Sequence, residues 1–200
     1  MPDKPSSAGI LLAHGSGAGQ DHPWIIAMRG LLAARGYPTM TFNYDYIESG
    51  RRGPDRPDRL LAVHSAAADR LATYVDEVVL AGKSMGGRMA SHLVGDQRWP
   101  AVAIAYFGYP LVAMGKGEPR PVDHLHRISM PQYFVCGTRD RLSPPVLIES
   151  LVCSLPNAFR FVVEDGDHSL QVPKRAGITN KEVLANVASA TTRWIRDSIA

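Results

Sequence analysis

The run Gly82-Lys83-Ser84-Met85-Gly86-Gly87-Arg88 sets one serine hydroxyl among residues with almost no side chain. That G-x-S-x-G spacing lets the backbone turn so sharply that the serine stands exposed at its apex. Apolar residues Val78-Val79-Leu80-Ala81 precede it and a helix-like segment follows, so the turn joins a strand to a helix. A helix N-terminus presents free N–H groups to whatever the serine attacks. The chemistry this suits is nucleophilic attack on a carbonyl.

A hydroxyl attacks only when a base takes its proton, and the base is held in one tautomer by an acid. In the chain order that goes with this elbow, acid and base follow the serine, each just past a strand. The apolar run 133–136 leads into Gly137-Thr138-Arg139-Asp140, and the run 159–163 leads into Glu164-Asp165-Gly166-Asp167-His168. Asp140 and His168 are therefore the expected acid and base. Taken alone, Asp140 also suits a turn or helix cap. Asp165 and Asp167 are rival acids, but they lie so near His168 in sequence that they are expected to shape its turn. His22, His64 and His92 fall in or beside helices and read as structural. His124-x-His126 has no neighbouring cysteine and no third ligand to make a metal site.

Developing charge on the carbonyl oxygen also needs donors. The glycine-rich loop His14-Gly15-Ser16-Gly17-Ala18-Gly19 follows the first apolar run. The backbone N–H groups of Ser16 and Met85 are expected to form an oxyanion hole. The plainer alternative for this loop is an ordinary tight turn. Nucleotide motifs fail on spacing: the earlier glycine of a P-loop would fall on Glu77, and the third glycine of a dinucleotide fingerprint on Gln20.

The elements that must position these groups are short apolar runs alternating with amphipathic segments. Strands are expected over 9–13, 39–43, 78–81, 102–107, 133–136 and 159–163, which read as continuous apolar runs rather than alternating ones, as in buried parallel strands. Helices are expected over 23–35, 60–74, 85–94 and 145–155, and from the capping box Thr179-Asn180-Lys181-Glu182 onward. Repeated βα units imply an α/β fold of about six mainly parallel strands with helices on both faces. Residues 1–8 are expected as a flexible arm and 9–200 as one domain.

Composition fits that picture. A hydrophobic content of 45% with 20% charged residues describes a globular chain. The net charge of +3 and pI near 9.0 come without a dense basic run beyond Arg51-Arg52, so a nucleic-acid partner is not expected. No apolar run approaches a membrane span or a signal-peptide core, so no membrane partner is expected and the cytoplasm is the default location. Cys136 and Cys153 read as small buried hydrophobes.

The whole chain resembles the α/β-hydrolase superfamily. The likeness rests on His14-Gly15-Ser16-Gly17, Phe42-Asn43-Tyr44, Gly50-Arg51-Arg52-Gly53-Pro54-Asp55, the elbow, Gly137-Thr138-Arg139-Asp140 and Gly166-Asp167-His168-Ser169. Within the superfamily it is most similar to the hydrolase-like family named for a testis-expressed protein and a subunit of the NSL histone acetyltransferase complex. Dienelactone-hydrolase-like proteins are more distant relatives. The resemblance implies Ser84, Asp140 and His168 as the catalytic triad.

Cap domains in this fold usually enter after the fourth strand. Here the segment 108–130 is short and broken by Pro110, Gly115, Gly117, Pro119 and Pro121, so no cap domain is expected and the site should be open. Arg51 and Arg52 lie on the expected rim and are candidates for binding an anionic substrate group. Internal pairing with Asp45, Glu48, Asp55 or Asp58 is the weightier alternative. Lys83 either faces the site as a cation or packs its stem sideways into the sheet. The expected protein is a serine hydrolase acting on a small soluble ester, thioester or lactone, with no metal or organic cofactor. Its rival is a non-catalytic interaction module that keeps a vestigial site.

Overall fold

The computed structural model describes residues 8–113 and 119–199. Six strands form a single sheet: β1 (Ala8–Ala13), β2 (Thr39–Phe42), β3 (Glu77–Lys83), β4 (Ala103–Phe107), β5 (Gln132–Gly137) and β6 (Ala158–Val163). Their order is β2-β1-β3-β4-β5-β6, and every neighbouring pair is parallel. The connecting helices are α1 (Pro23–Ala33), α2 (Asp45–Glu48), α3 (Pro57–Ala72), α4 (Met85–Gly95), α5 (Asp123–His126), α6 (Pro145–Ser154) and α7 (Asn180–Ile199).

Parallel crossovers put helices on both faces, so alternate strand residues must be apolar in both directions. Leu11, Leu80, Ile104 and Phe134 face Leu61 and Leu71 of α3, Leu93 of α4 and Ile148 of α6. Their neighbours Ile10, Val79, Ala105 and Val135 point the other way, onto Trp24 and Met28 of α1 and Val187 and Ile195 of α7. The chain steps outward from β1 to β2, then returns to place β3 on the other side of β1. Such a reversal opens a crevice at the C-terminal strand ends, where ligands bind in open α/β sheets.

Several boundaries differ from the sequence-based expectation. β3 continues through Gly82 and Lys83, which pair with Tyr106 and Phe107 of β4, because ladder bonds need only backbone. α3 starts at Pro57 rather than Leu60, since proline's fixed φ suits a first helical turn. β6 is not buried on both faces: it is the sheet edge, and Phe159 is 48% exposed. Cys153 is exposed on α6, whereas Cys136 is buried in β5; both are free thiols. Of the expected N-terminal arm, residues 1–7 lie outside the described residues and Ala8 already belongs to β1.

The capping box closes as its spacing implies. Glu182 N–H donates to Thr179 Oγ1 at 3.2 Å, and Thr179 N–H donates to Glu182 Oε2 at 2.8 Å. Between β4 and β5 the described residues hold α5 and an isolated bridge between Val112 and Pro119. Gly115 and Gly117 of that segment lie outside the described residues. Among the described residues, no helix is long and apolar enough to cross a membrane.

Candidate active site

Ser84 follows the last residue of β3 and stands directly before α4, with φ 50° and ψ −113°. A non-glycine residue at positive φ is strained, and it persists only where its surroundings over-determine it. Here its N–H donates to Phe107 O at 3.0 Å, and its own carbonyl accepts from Arg88 N–H at 3.1 Å. The neighbouring glycines permit the close approach. A Cβ on Gly82 would run into the backbone of Gly86 and Gly87, and one on Gly86 would press on the carbonyl oxygens of Ala13 and His14. The start of α4 therefore rests on the ends of β3 and β1, with Ser84 above them.

The turns after β5 and β6 bring Asp140 and His168 to this serine. His168 Nε2 lies 2.9 Å from Ser84 Oγ, and His168 Nδ1 lies 2.8 Å from Asp140 Oδ2. The other carboxylate oxygen, Oδ1, accepts from the N–H groups of Leu142 and Ser143 at 2.8 and 3.1 Å. Asp140 is 3% exposed. Burial by itself raises its pKa, but the hydrogen bond and charge of His168 and those two N–H groups together hold the carboxyl below its ordinary range. Asp167 turns elsewhere, accepting from Ser169 and Gln171 N–H through Oδ1.

Gly108 is a site residue that the sequence did not single out. Its φ is +69°, and an added Cβ would stand 3.2 Å from His168 Cε1 and 3.3 Å from Nδ1. The missing side chain leaves the room that the imidazole fills.

The Ser16 and Met85 N–H groups have no acceptor among the described residues, and both lie beside Ser84. Their loop is braced from behind. Gly17 N–H donates to Tyr46 Oη at 3.2 Å, while His14 Nδ1–H donates to Gly15 O at 2.7 Å. His14 Nε2 accepts from Tyr44 N–H at 3.3 Å, which fixes the neutral tautomer. Burial lowers the His14 pKa against the pull of the Gly15 carbonyl, so the ring stays uncharged.

Arg51 and Arg52 line neither cavity at Ser84. Arg51 instead pairs with Asp55, Nη2 to Oδ1, at 2.7 Å. The wider cavity, about 670 Å³, runs past Leu61 of α3 and Arg88 and His92 of α4. The smaller, about 310 Å³, lies toward α1 and is lined by Ser16, Trp24, Lys83, His168 and Ser169. Ser84 belongs to both.

Lys83 thus faces the smaller cavity, with its stem along Gly15, and is only 9% exposed. Burial pushes its ammonium down to about 8, against the opposing pull of Asp140 and Asp167. Below about 8 the lysine is charged both folded and unfolded, and the fold bears the whole desolvation penalty. Between about 8 and the ordinary 10.5 only the unfolded chain keeps the proton, so the penalty fades as pH rises. Lys83→Met is therefore expected to stabilise the protein by about 1–3 kcal/mol near neutral pH. Urea melts across this pH range should show that gain shrinking; a constant difference would contradict it.

A parallel sheet in this order, with Ser84 after β3 hydrogen-bonded to His168 after β6 and His168 to Asp140 after β5, is the arrangement of an α/β-hydrolase fold. Residues 6–196 match the family model described as an alpha/beta hydrolase domain, and the chain belongs to that family. It is similar to an alpha-beta serine hydrolase homologue from Coxiella burnetii, with TM-score 0.73 and 15% identity over 96% of this chain and 86% of that one. It is also similar to Est1E from Butyrivibrio proteoclasticus in a structure with bound ferulic acid (TM-score 0.71, 14% identity, 98% and 93% covered). A third is XC6422 from Xanthomonas campestris, described as an α/β serine hydrolase without lid (TM-score 0.73, 14% identity, 98% and 85% covered).

Proposed function

We propose that the protein is a serine hydrolase acting on small esters, thioesters or lactones through an acyl-enzyme. The observation that carries this reading is the hydrogen-bonded line Ser84 Oγ, His168 Nε2, His168 Nδ1 and Asp140 Oδ2 beside two backbone donors that have no acceptor among the described residues. His168 takes the Ser84 proton as Oγ bonds to the substrate carbonyl carbon. Asp140 steadies the imidazolium that results. The carbonyl oxygen becomes an oxyanion against the Ser16 and Met85 N–H groups. On collapse the alcohol or thiol leaves with the proton from His168. Water, deprotonated by His168, then releases the acid and restores Ser84.

The esterase and lid-free neighbours support an open site that admits short substrates. Kinship with the narrower testis-expressed and NSL-subunit family is part of the same proposal. The direct test is a fluorophosphonate probe followed by peptide mass analysis. Covalent phosphonylation at Ser84, together with turnover in a screen of p-nitrophenyl esters, thioesters and lactones, is the expected result. An inert Ser84 and no turnover would favour the non-catalytic module instead.

A further inference from the structure

An ammonium withdrawn from most of its hydration gains from a counter-charge, and in proteins a carboxylate usually supplies it. Lys83 has no hydrogen bond or ion pair through its side chain among the described residues; only the charges of Asp140 and Asp167 act on it. Both acids are committed elsewhere. Asp140 takes His168 Nδ1–H and two backbone N–H groups, and Asp167 Oδ1 takes the N–H groups of Ser169 and Gln171.

The cavity that Lys83 lines is rich in donors and has no Asp or Glu in its wall among the described residues. The wider cavity carries its cations on α4 and the loops beyond it: Arg98 lies 3.5 Å from Asp58, Arg88 donates to Tyr109 Oη and Pro121 O, and Arg120 has no ion pair among the described residues. An ammonium without a carboxylate partner, in a cavity that Ser84 shares, is complementary to ligand oxygens carrying negative charge.

The geometry points to the smaller cavity as an anion subsite, in which Lys83 Nζ pairs with a carboxylate that the substrate carries near its scissile carbonyl. This deepens the hydrolase reading above and rests on it. The substrate class is the half-ester or half-thioester of a short dicarboxylic acid. Pairing also removes a conflict, since an unmatched ammonium beside Ser84 opposes the imidazolium that forms on His168. A bound carboxylate neutralises it before that charge appears, so the advantage reaches kcat as well as KM.

The test compares monomethyl glutarate with methyl valerate, which share a chain length and differ in the terminal carboxylate, on the full chain by proton release. The wild type is expected to favour the anionic ester in kcat/KM by about tenfold to a hundredfold, the range of a charge-assisted hydrogen bond. Lys83→Met should collapse that ratio toward unity, and Lys83→Arg should keep part of it. A wild-type ratio near unity, or equal proportional losses on both esters in Lys83→Met, overturns the subsite.

A second measurement needs no variant. Valerate should slow phosphonylation of Ser84 more than uncharged valeramide does at equal concentration and ionic strength; equal protection overturns the proposal. Failure of the hydrolase reading looks different, because Ser84 then resists the fluorophosphonate, neither ester is cleaved, and the subsite falls with it.

Discussion

Ser84→Ala is expected to lower kcat by about 10⁴-fold or more on any ester the wild type turns over. On the proposed mechanism the substitution removes the atom that bonds to the carbonyl carbon and leaves the Ser16 and Met85 N–H groups in place. What remains is attack by water in a site built to hold a different nucleophile. The fold should survive, because alanine and serine meet the same strain at φ 50° and the bonds that hold the elbow are backbone bonds. The measurement is kcat on the best ester from the screen, beside a urea melt and the loss of the phosphonylated peptide. Undiminished turnover in a folded variant would refute the mechanism.

Asp140→Asn is expected to cost on the order of 10⁴-fold in kcat, as the equivalent change does in serine proteases. The reason is specific to the contacts around this carboxylate. Oδ1 accepts from Leu142 and Ser143 N–H, so an asparagine must turn its carbonyl oxygen to them. Its amide NH₂ then faces His168 Nδ1, which is left to accept rather than donate. The ring proton moves to Nε2 and points at Ser84 Oγ, where a base is needed. Raising pH does not restore the missing acceptor, so the loss should persist across the alkaline range. A variant that recovers wild-type kcat at high pH would show that Asp140 acts only by its charge.

The three side chains that meet at the candidate site were legible because each sits at a strand end marked by small residues: Gly82 and Gly86 around Ser84, Gly137 before Asp140, and Gly166 before His168. The parallel sheet was legible from continuous apolar runs. What escaped depended on neighbours distant in sequence. Gly108 matters because its φ of +69° and the turn after β6 bring it against the His168 ring. Tyr46 matters because α2 aims its hydroxyl at Gly17 N–H. The run Phe159 to Val163 was read as a buried strand, although Arg160 within it, paired with Glu149 on α6, is a local mark of an exposed edge. The choice between the two roles of Lys83 needed the cavity wall, which joins residues from β1, α1, β3 and β6 turns.

The position of β6 has a consequence for how the protein loses function. Ser84 is anchored on β3, which is flanked by β1 and β4, whereas His168 hangs from an edge strand, with one side of its ladder unpaired among the described residues. Edge elements open with less free energy than central ones. Gentle heating should therefore part base from nucleophile while the elbow still keeps its shape, and inactivation should precede melting of the sheet.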